Sequence, residues 1–210
     1  MKNIAIVCAM LKEYDLLTRE FGDGADVHCL LSGIGKVNAA VAAERLIARY
    51  SPDCILSIGV AGSFAEGVSE GETVIVDRTA YHDVWCGVHY LPGQVENMPL
   101  FYPSDPELIA IAKSSLPDAH VGLLCTGDQF YISPEEDARQ KGLFPDALAV
   151  DMEGAAVAQV AYMHSTPFLA VKIISDTHND GRQKEHYDDF WDRLAEISFS
   201  SIHKLLDNLL

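Results

Sequence analysis

Short apolar segments recur along the chain and predict its strands. Several of them are continuous apolar runs rather than alternations of apolar and polar residues, which is typical of strands that helices cover on both faces. The predicted strands are 4–9, 27–32, 54–62, 73–80, 120–126, 147–152 and 168–175.

The segments between these strands predict helices, and the last of them has apolar residues at close to helical spacing. Strands that alternate with helices predict an α/β fold with a mixed, mostly parallel central sheet flanked by helices. The length of 210 residues suits a single domain, 1–210. The predicted helices are 11–21, 36–49, 105–114, 134–142, 153–163 and about 187–209.

The least regular stretch is 82–104, which is rich in aromatic residues, Pro and Gly. A long loop in a compact domain usually has a functional or interfacial role. Its apolar side chains, among them Trp85 and Tyr90, are too many for an exposed loop and indicate an interface. We therefore expect a homodimer, the commonest closed assembly. The alternative is a loop that folds back onto its own domain.

The chain is acidic, with a formal net charge of −16. This charge argues against nucleic acid and anionic membrane surfaces as partners, because both need a basic surface. A small neutral or cationic ligand remains compatible with it. No apolar run is long enough to cross a membrane, and the N-terminus lacks the cleavage-site pattern of a signal peptide. We expect a cytoplasmic protein.

Neither a metal nor a cofactor is predicted. The five cysteines are scattered without a CxxC pair, and the histidines show no HExxH or HxH spacing. The glycine-rich segments 32–35 and 59–62 match neither the dinucleotide-binding fingerprint nor the P-loop. We interpret the cysteines as reduced thiols in or near the core.

Polar residues follow the predicted strands at the edge of the sheet where α/β proteins bind ligands. Glu13 follows the first strand, and Asp176 follows the last. Asp151 and Glu153 end an apolar run, where an unpaired buried charge is costly. Alone, Glu13 would be interpreted as a solvated first-turn residue and Asp176 as a helix N-cap. Together these carboxylates predict a site.

Seven motifs then occur in an order that resembles the nucleoside phosphorylase/nucleosidase superfamily, most closely its 5′-methylthioadenosine/S-adenosylhomocysteine nucleosidases. The resemblance covers essentially the whole chain. It implies a nucleoside phosphorylase-like three-layer sandwich that hydrolyses the N-glycosidic bond of these nucleosides and releases adenine. The motifs are "AM" before Glu13, "SGIGKVNAA", "GVAGS", "YHD", "TGDQF", "DMEGAA" and "ISD".

The resemblance also implies roles for individual residues. Glu13 is the implied base that activates water, and Asp176 is the implied acid at purine N7, oriented by Ser175. Glu153 is implied to bind the ribose hydroxyls, and Phe130 to stack on the base. The further implied substrate-binding residues are Met10, Ile34, Val60, Ala61, Gly62, Tyr131, Met152, Lys172 and Tyr187.

The residue types suit this chemistry independently. A purine leaves more readily when an acid protonates it, and water attacks more readily when a base takes its proton. Carboxylates also stabilise the positive sugar of the transition state. We therefore expect Glu153 to be functional. Asp151, alternating along the strand, is expected to face the other way and to be structural.

Some positions depart from the resembled pattern. Ser57 and Val60 stand where phosphorolytic relatives have arginine and serine, and phosphate is best held by arginine, so hydrolysis is favoured. Lys172 replaces the usual arginine, and Tyr187 the usual phenylalanine. Two alternatives stay open. One is a nucleosidase or phosphorylase for another purine nucleoside, of the inosine, AMP or futalosine type. The other is a purine-nucleoside-binding protein without catalysis.

Overall fold

The computed structural model describes residues 3–21, 26–63, 65–130, 133–177, 182–193 and 195–210. The strands are β1 Ile4–Cys8, β2 Val27–Leu31, β3 Cys54–Ser63, β4 Thr73–Tyr81, β5 Tyr102–Pro103, β6 His120–Thr126, β7 Ala147–Asp151 and β8 Phe168–Thr177. The helices are α1 Leu11–Phe21, α2 Lys36–Tyr50, α3 Pro106–Ser115, α4 Pro134–Leu143, α5 Gly154–His164, α6 Gln183–Arg193 and α7 Ala195–Leu209.

The strands form one mixed sheet in the order β2-β1-β3-β7-β6-β4-β5, and β8 pairs with both β3 and β4. Because β8 bridges these two strands, β3, β7, β6, β4 and β8 close into a ring. Strand β1 is parallel to β2 and β3, β8 is parallel to β3, and β6 is parallel to β4 and β7. The mixed, mostly parallel sheet flanked by helices is therefore confirmed.

The continuous apolar runs arise because both faces of the sheet are covered. In β1, Ala5 and Val7 point into a core shared with α2 and α5, whereas Ile4 and Ile6 point into a core shared with α1, α3, α6 and α7. The first core is rich in alanine on both helices, which lets them pack close to the strands. This arrangement is the predicted three-layer sandwich.

Two elements differ from the sequence-based prediction. The predicted helix 187–209 is two helices, α6 and α7, with residue 194 between them outside the described part of the chain. Buried apolar residues occur in both, so the spacing did not reveal the break. Strand β5 lies within the irregular stretch 82–104, where Tyr102 pairs with Thr79. Two residues are too few to produce a strand pattern.

In the described residues, no helix combines the length and the apolar character that a membrane span requires.

Candidate active site

The carboxyl ends of β1, β3, β7 and β8 surround a cavity of about 240 Å³. The predicted site residues that line it are Met10, Glu13, Ile34, Val60, Ala61, Gly62, Phe130, Met152, Glu153, Ser175, Asp176 and Tyr187. Tyr131 falls outside the described residues. Lys172 is not part of the cavity wall. The structure thus brings together residues that are as many as 177 positions apart, as Tyr187 and Met10 are.

Glu13 lies in the first turn of α1, but its side chain turns back over the end of β1. Its Oε2 accepts hydrogen bonds from the backbone N–H groups of Ala9 and Met10, both at 2.9 Å. Its Oε1 accepts one from Val60 N–H at 2.8 Å. The side chain reaches β3 across Gly59, where an added Cβ would lie 2.5 Å from Oε1.

Glu13 is only 2% exposed, so the interpretation as a solvated helix residue is wrong. Burial raises the pKa of Glu13, while the positive charge of Lys172 and the three backbone N–H groups act in the opposite direction. A fixed, desolvated carboxylate at the cavity wall is the kind of group that serves as a general base.

Glu153 occupies the N-cap position of α5 without capping that helix. Its Oε1 instead accepts a hydrogen bond of 2.7 Å from the backbone N–H of Gly35, in the turn that precedes α2. Burial, and then the negative charge of Asp151, raise the pKa of Glu153 to about 7. At neutral pH this carboxyl group is therefore close to half-ionised.

Asp151 is held at the junction of β7 and α5. Its oxygens accept hydrogen bonds from Gly154 N–H at 2.9 Å and from Thr126 Oγ1 at 2.6 Å, which fix the start of α5. Its Oδ2 also forms an ion pair of 3.0 Å with Lys172 Nζ. The prediction that Asp151 faces away from the site is wrong, because Asp151 contributes to the cavity wall. Its structural role stays a prediction.

Lys172 lies behind the cavity, on β8. It is 3% exposed, and its Nζ hydrogen-bonds to Ser57 Oγ at 3.2 Å in addition to pairing with Asp151. The structure therefore does not bring Lys172 to the place where a bound ligand would touch it.

Asp176 is fully buried near the end of β8, and Ser175 Oγ donates a hydrogen bond of 2.7 Å to its Oδ1. Neighbouring residues in a regular strand point to opposite faces. Here Ala61 pairs with Ile174 and Gly62 with Asp176, so Ser175 is the extra residue of a bulge. The bulge lets the two side chains meet, and bulges commonly re-aim side chains at active sites.

An aromatic and thioether wall lies opposite the strand ends. The rings of Phe130 and Tyr187 meet edge to face with centroids 5.2 Å apart. The Tyr187 hydroxyl donates to Met10 Sδ at 3.2 Å. Gln183 Nε2 donates to the Phe130 carbonyl at 3.1 Å, which ties α6 to the loop after β6.

Sequence reasoning missed several polar residues of the cavity wall: His82, Gln129, Gln140 and Gln183. His82 and Gln129 lie inside the quoted motifs "YHD" and "TGDQF", which gave a signal for both. Gln140 and Gln183 belong to helices without a motif. Burial lowers the pKa of His82, so its ring is neutral at pH 7.

Among the described residues, no group of three or more His, Cys, Asp and Glu side chains is arranged to hold a metal ion. The ionisable groups of the cavity wall include the carboxyl groups of Glu13, Asp151, Glu153 and Asp176. They share a space with one aromatic wall, which suits a flat base attached to a hydroxylated ring.

Comparisons with known proteins decide the family. The phosphorylase superfamily profile matches residues 3–210. A curated 5′-methylthioadenosine/S-adenosylhomocysteine nucleosidase from Aeromonas salmonicida is 39% identical over 192 residues, 89% of this chain and 83% of that protein. One of the same name from Listeria welshimeri is 40% identical over 195 residues, 89% of this chain and 83% of its own length.

The chain belongs to the 5′-methylthioadenosine/S-adenosylhomocysteine nucleosidase family of the phosphorylase superfamily. Solved structures agree. The nucleosidase from Neisseria meningitidis in complex with methylthio-immucillin-A has a TM-score of 0.91 and 32% identity, covering 98% of this chain and 99% of that chain. The Streptococcus pyogenes enzyme in complex with 5-methylthiotubericidin has a TM-score of 0.90 and 31% identity, covering 100% and 98%. The resemblance seen in the sequence is confirmed.

Proposed function

We propose that this member of the nucleosidase family hydrolyses the N-glycosidic bond of 5′-methylthioadenosine and S-adenosylhomocysteine and releases adenine. The observation that carries the proposal is the convergence of Glu13, Glu153 and Asp176 on one cavity. An acid, a base and a ribose-binding carboxylate are what this reaction needs.

Asp176 is the general acid. It protonates N7 of the purine from Oδ2, while Ser175 holds Oδ1 by a hydrogen bond of 2.7 Å. Protonation turns a poor leaving group, the purine anion, into a neutral base. Phe130 stacks on the base, and Tyr131 remains the proposed contact to its edge.

Glu13 is the general base. Its three backbone hydrogen bonds hold the carboxylate beside the space that the attacking water occupies. Because burial raises the pKa of Glu13, the carboxylate is a stronger base than one in water. Glu153 accepts a hydrogen bond from a ribose hydroxyl, and Met152 lies against the sugar.

Water, rather than phosphate, is the proposed nucleophile. Of the cavity-lining residues in the described chain, none is an arginine or a lysine. Phosphate sites favour arginine, whose planar fork matches two phosphate oxygens. Val60 contributes an apolar side chain to this wall. The hydroxyl of Ser57 accepts a hydrogen bond from Lys172 Nζ.

The 5′ substituent lies against Met10, Ile34 and Tyr187, whose side chains make an apolar end to the cavity. Ile34 is more than half exposed, so this end is the mouth of the cavity. A sulfur-linked alkyl group suits such a surface because it has no strong hydrogen-bonding group to satisfy.

A homodimer that completes this mouth is the proposed assembly. Exposed apolar side chains occur both on α2 and in the stretch 82–104, and the ion pair of Lys36 and Asp83 joins these two elements at 2.6 Å. An apolar surface of this kind is typical of a protein interface. The exposed residues are Val37, Val41, Trp85, Val88 and Leu91.

The cytoplasm is the proposed location, and residues 1–210 are proposed to form one domain.

The experiment that tests the function is product analysis with the purified protein. It is incubated with 5′-methylthioadenosine, S-adenosylhomocysteine, inosine or AMP, with and without phosphate. We expect adenine and a free sugar from the first two substrates, at a rate that phosphate does not change. A sugar 1-phosphate would identify a phosphorylase, and binding without any product would identify a binding protein. Either result overturns the proposal.

A further inference from the structure

Among the described residues, four buried carboxyl groups lie in the cavity wall and one buried ammonium group lies behind it. The carboxylates belong to Glu13, Asp151, Glu153 and Asp176, and the ammonium group to Lys172. A buried charge without a partner is costly, so such a cluster is balanced either by its own cation or by bound protons. Lys172 therefore bears on how many of the carboxylates are ionised.

The position of Lys172 is fixed from two sides. Asp151 Oδ2 lies 3.0 Å from Nζ, and Ser57 Oγ lies 3.2 Å from it. Asp151 is itself held by Thr126 and Gly154, so the ion pair is anchored to β6 and α5. Since Lys172 does not line the cavity, it acts on a bound ligand only through other residues.

The strand register shows that Glu13 is one of these residues: Lys172 pairs with Gly59 of β3, and the Glu13 carboxyl group lies directly over Gly59. The charges act accordingly. Burial alone would lower the pKa of Lys172, but the negative charges of Asp151, Glu153 and Glu13 raise it above its ordinary value. In return, Lys172 is the largest influence that lowers the pKa of Glu13 against burial. It also opposes the raised pKa of Glu153. The groups around Lys172 are Glu13 on α1, Asp151 and Glu153 at the end of β7, Ser57 on β3 and Cys8 on β1.

We propose that Lys172 is a positioning residue whose buried ammonium group keeps Glu13 ionised at neutral pH and opposes the protonation of Glu153, and that Asp151 fixes the ammonium group behind the cavity. The inference rests on the proposed function in one respect, namely that Glu13 must be ionised to take a proton from water. The competing explanation is that Lys172 and Asp151 form an ion pair with a purely structural role.

The test is the pH profile of kcat/KM for 5′-methylthioadenosine in four proteins: wild type, Lys172→Met, Asp151→Asn and the double variant. Removing the cation should move the acidic limb up by about one pH unit. At pH values below the pKa of the base in both wild type and variant, that shift lowers kcat/KM about tenfold. Most of the loss should disappear at alkaline pH. Removing the Asp151 charge should move the limb down, and the double variant should return it close to the wild-type position.

Two further variants act as controls. Lys172→Arg keeps the charge and should restore the limb to within about half a unit. Lys113→Met removes an exposed lysine on α3 and should leave the profile unchanged. If Lys172→Met fails to fold because Asp151 is left unpaired, the double variant and Asp151→Asn still give the comparison.

A measurement without substrate separates this inference from the proposed function. The side-chain carboxyls of ¹³C-glutamate-labelled wild type and Lys172→Met are titrated by NMR. We expect the two buried glutamates to titrate at higher pH in the variant. Shifted glutamates in a protein that cleaves no nucleoside would support the inference while the function failed. Unshifted glutamates, or a uniform loss of activity at every pH in all three variants, would overturn the inference and support the structural ion pair.

Discussion

At the scale of single residues, each carboxylate of the cavity is distinguished by what holds it. Backbone N–H groups hold Glu13, one N–H group from a distant turn holds Glu153, and a hydroxyl holds Asp176. Asp151 is held by a cation as well. Burial raises the pKa of both Glu13 and Glu153, and a carboxylate with a raised pKa is suited to take up a proton.

Asp176→Asn should abolish the cleavage of natural purine nucleosides, because an amide does not deliver a proton to N7 as a carboxylic acid does. Asparagine has the same shape, so the hydrogen bond from Ser175 can be kept. A riboside with a p-nitrophenolate leaving group, which needs no protonation, should escape much of the defect. Equal loss on both substrates would mean that Asp176 acts on the structure and not as the acid.

The raised pKa of Glu153 predicts a dependence of stability on pH. A carboxyl group that binds its proton more tightly in the folded state stabilises the protein below its unfolded pKa, near 4.5. That stabilisation is lost as the pH rises through about 7. Between pH 5 and 8, the free energy of unfolding of wild type should therefore fall by roughly 2 kcal/mol more than that of Glu153→Gln. Denaturant titrations at both pH values measure these free energies. An equal change in the free energy of unfolding in the two proteins would refute the prediction.

At the scale of elements, the sequence pattern located the strands but not the contacts between their ends. The apolar runs identified every strand except β5, and the polar residues after them identified Glu13, Glu153 and Asp176. The bulge at Ser175 depends on how β8 pairs with β3, which no local pattern records. The position of Lys172 behind the cavity wall likewise depends on distant residues. Asp151 is more than 20 positions away along the chain and Ser57 more than 100.

Gly59 on β3 is required by a contact between two elements, because the side chain of Glu13 on α1 lies over it. An added Cβ would lie 2.5 Å from Glu13 Oε1 and 2.9 Å from its Cδ, so the carboxyl group would have to move. Gly59→Ala should lower kcat by on the order of 10²-fold, because a small displacement of a catalytic group has a cost of this size.

The matched control is Gly142→Ala on α4, where an added Cβ meets nothing within 4 Å. This variant should keep wild-type activity, since alanine is favoured over glycine in a helix. Steady-state kinetics of both variants provide the comparison. Wild-type kcat in Gly59→Ala would show that the hydrogen bond from Val60 N–H to Glu13 is not needed for turnover.

At the scale of the whole molecule, the main feature is an exposed apolar surface beside the cavity mouth that the described part of the chain does not cover. Trp85, Val88 and Leu91 are 61%, 84% and 58% exposed, so the alternative that the whole loop packs on its own domain does not hold for these residues. The sequence indicated an interface from the composition of 82–104. The contact of this stretch with α2 emerged only from the structure, because Lys36 and Asp83 are 47 positions apart.

Replacing Trp85 and Tyr90 by glutamate should dissociate the dimer and weaken substrate binding together, because charges are costly in an apolar interface. Sedimentation at micromolar concentration measures the first effect and KM the second. Val121→Glu, at the amino end of β6, changes a partly exposed apolar residue away from the cavity and should change neither. A fully active wild-type monomer of 23.0 kDa would rule out a shared cavity.

The measurement that tests the account most directly is the turnover of 5′-methylthioadenosine by Glu13→Gln. The variant keeps the size of the side chain and removes the base, so kcat should fall by about 10²–10⁴-fold while the affinity for the nucleoside persists. Glu107→Gln, which alters an exposed first-turn glutamate of α3, should keep the wild-type rate. Turnover by Glu13→Gln at the wild-type rate would contradict the central claim that this carboxylate activates the attacking water.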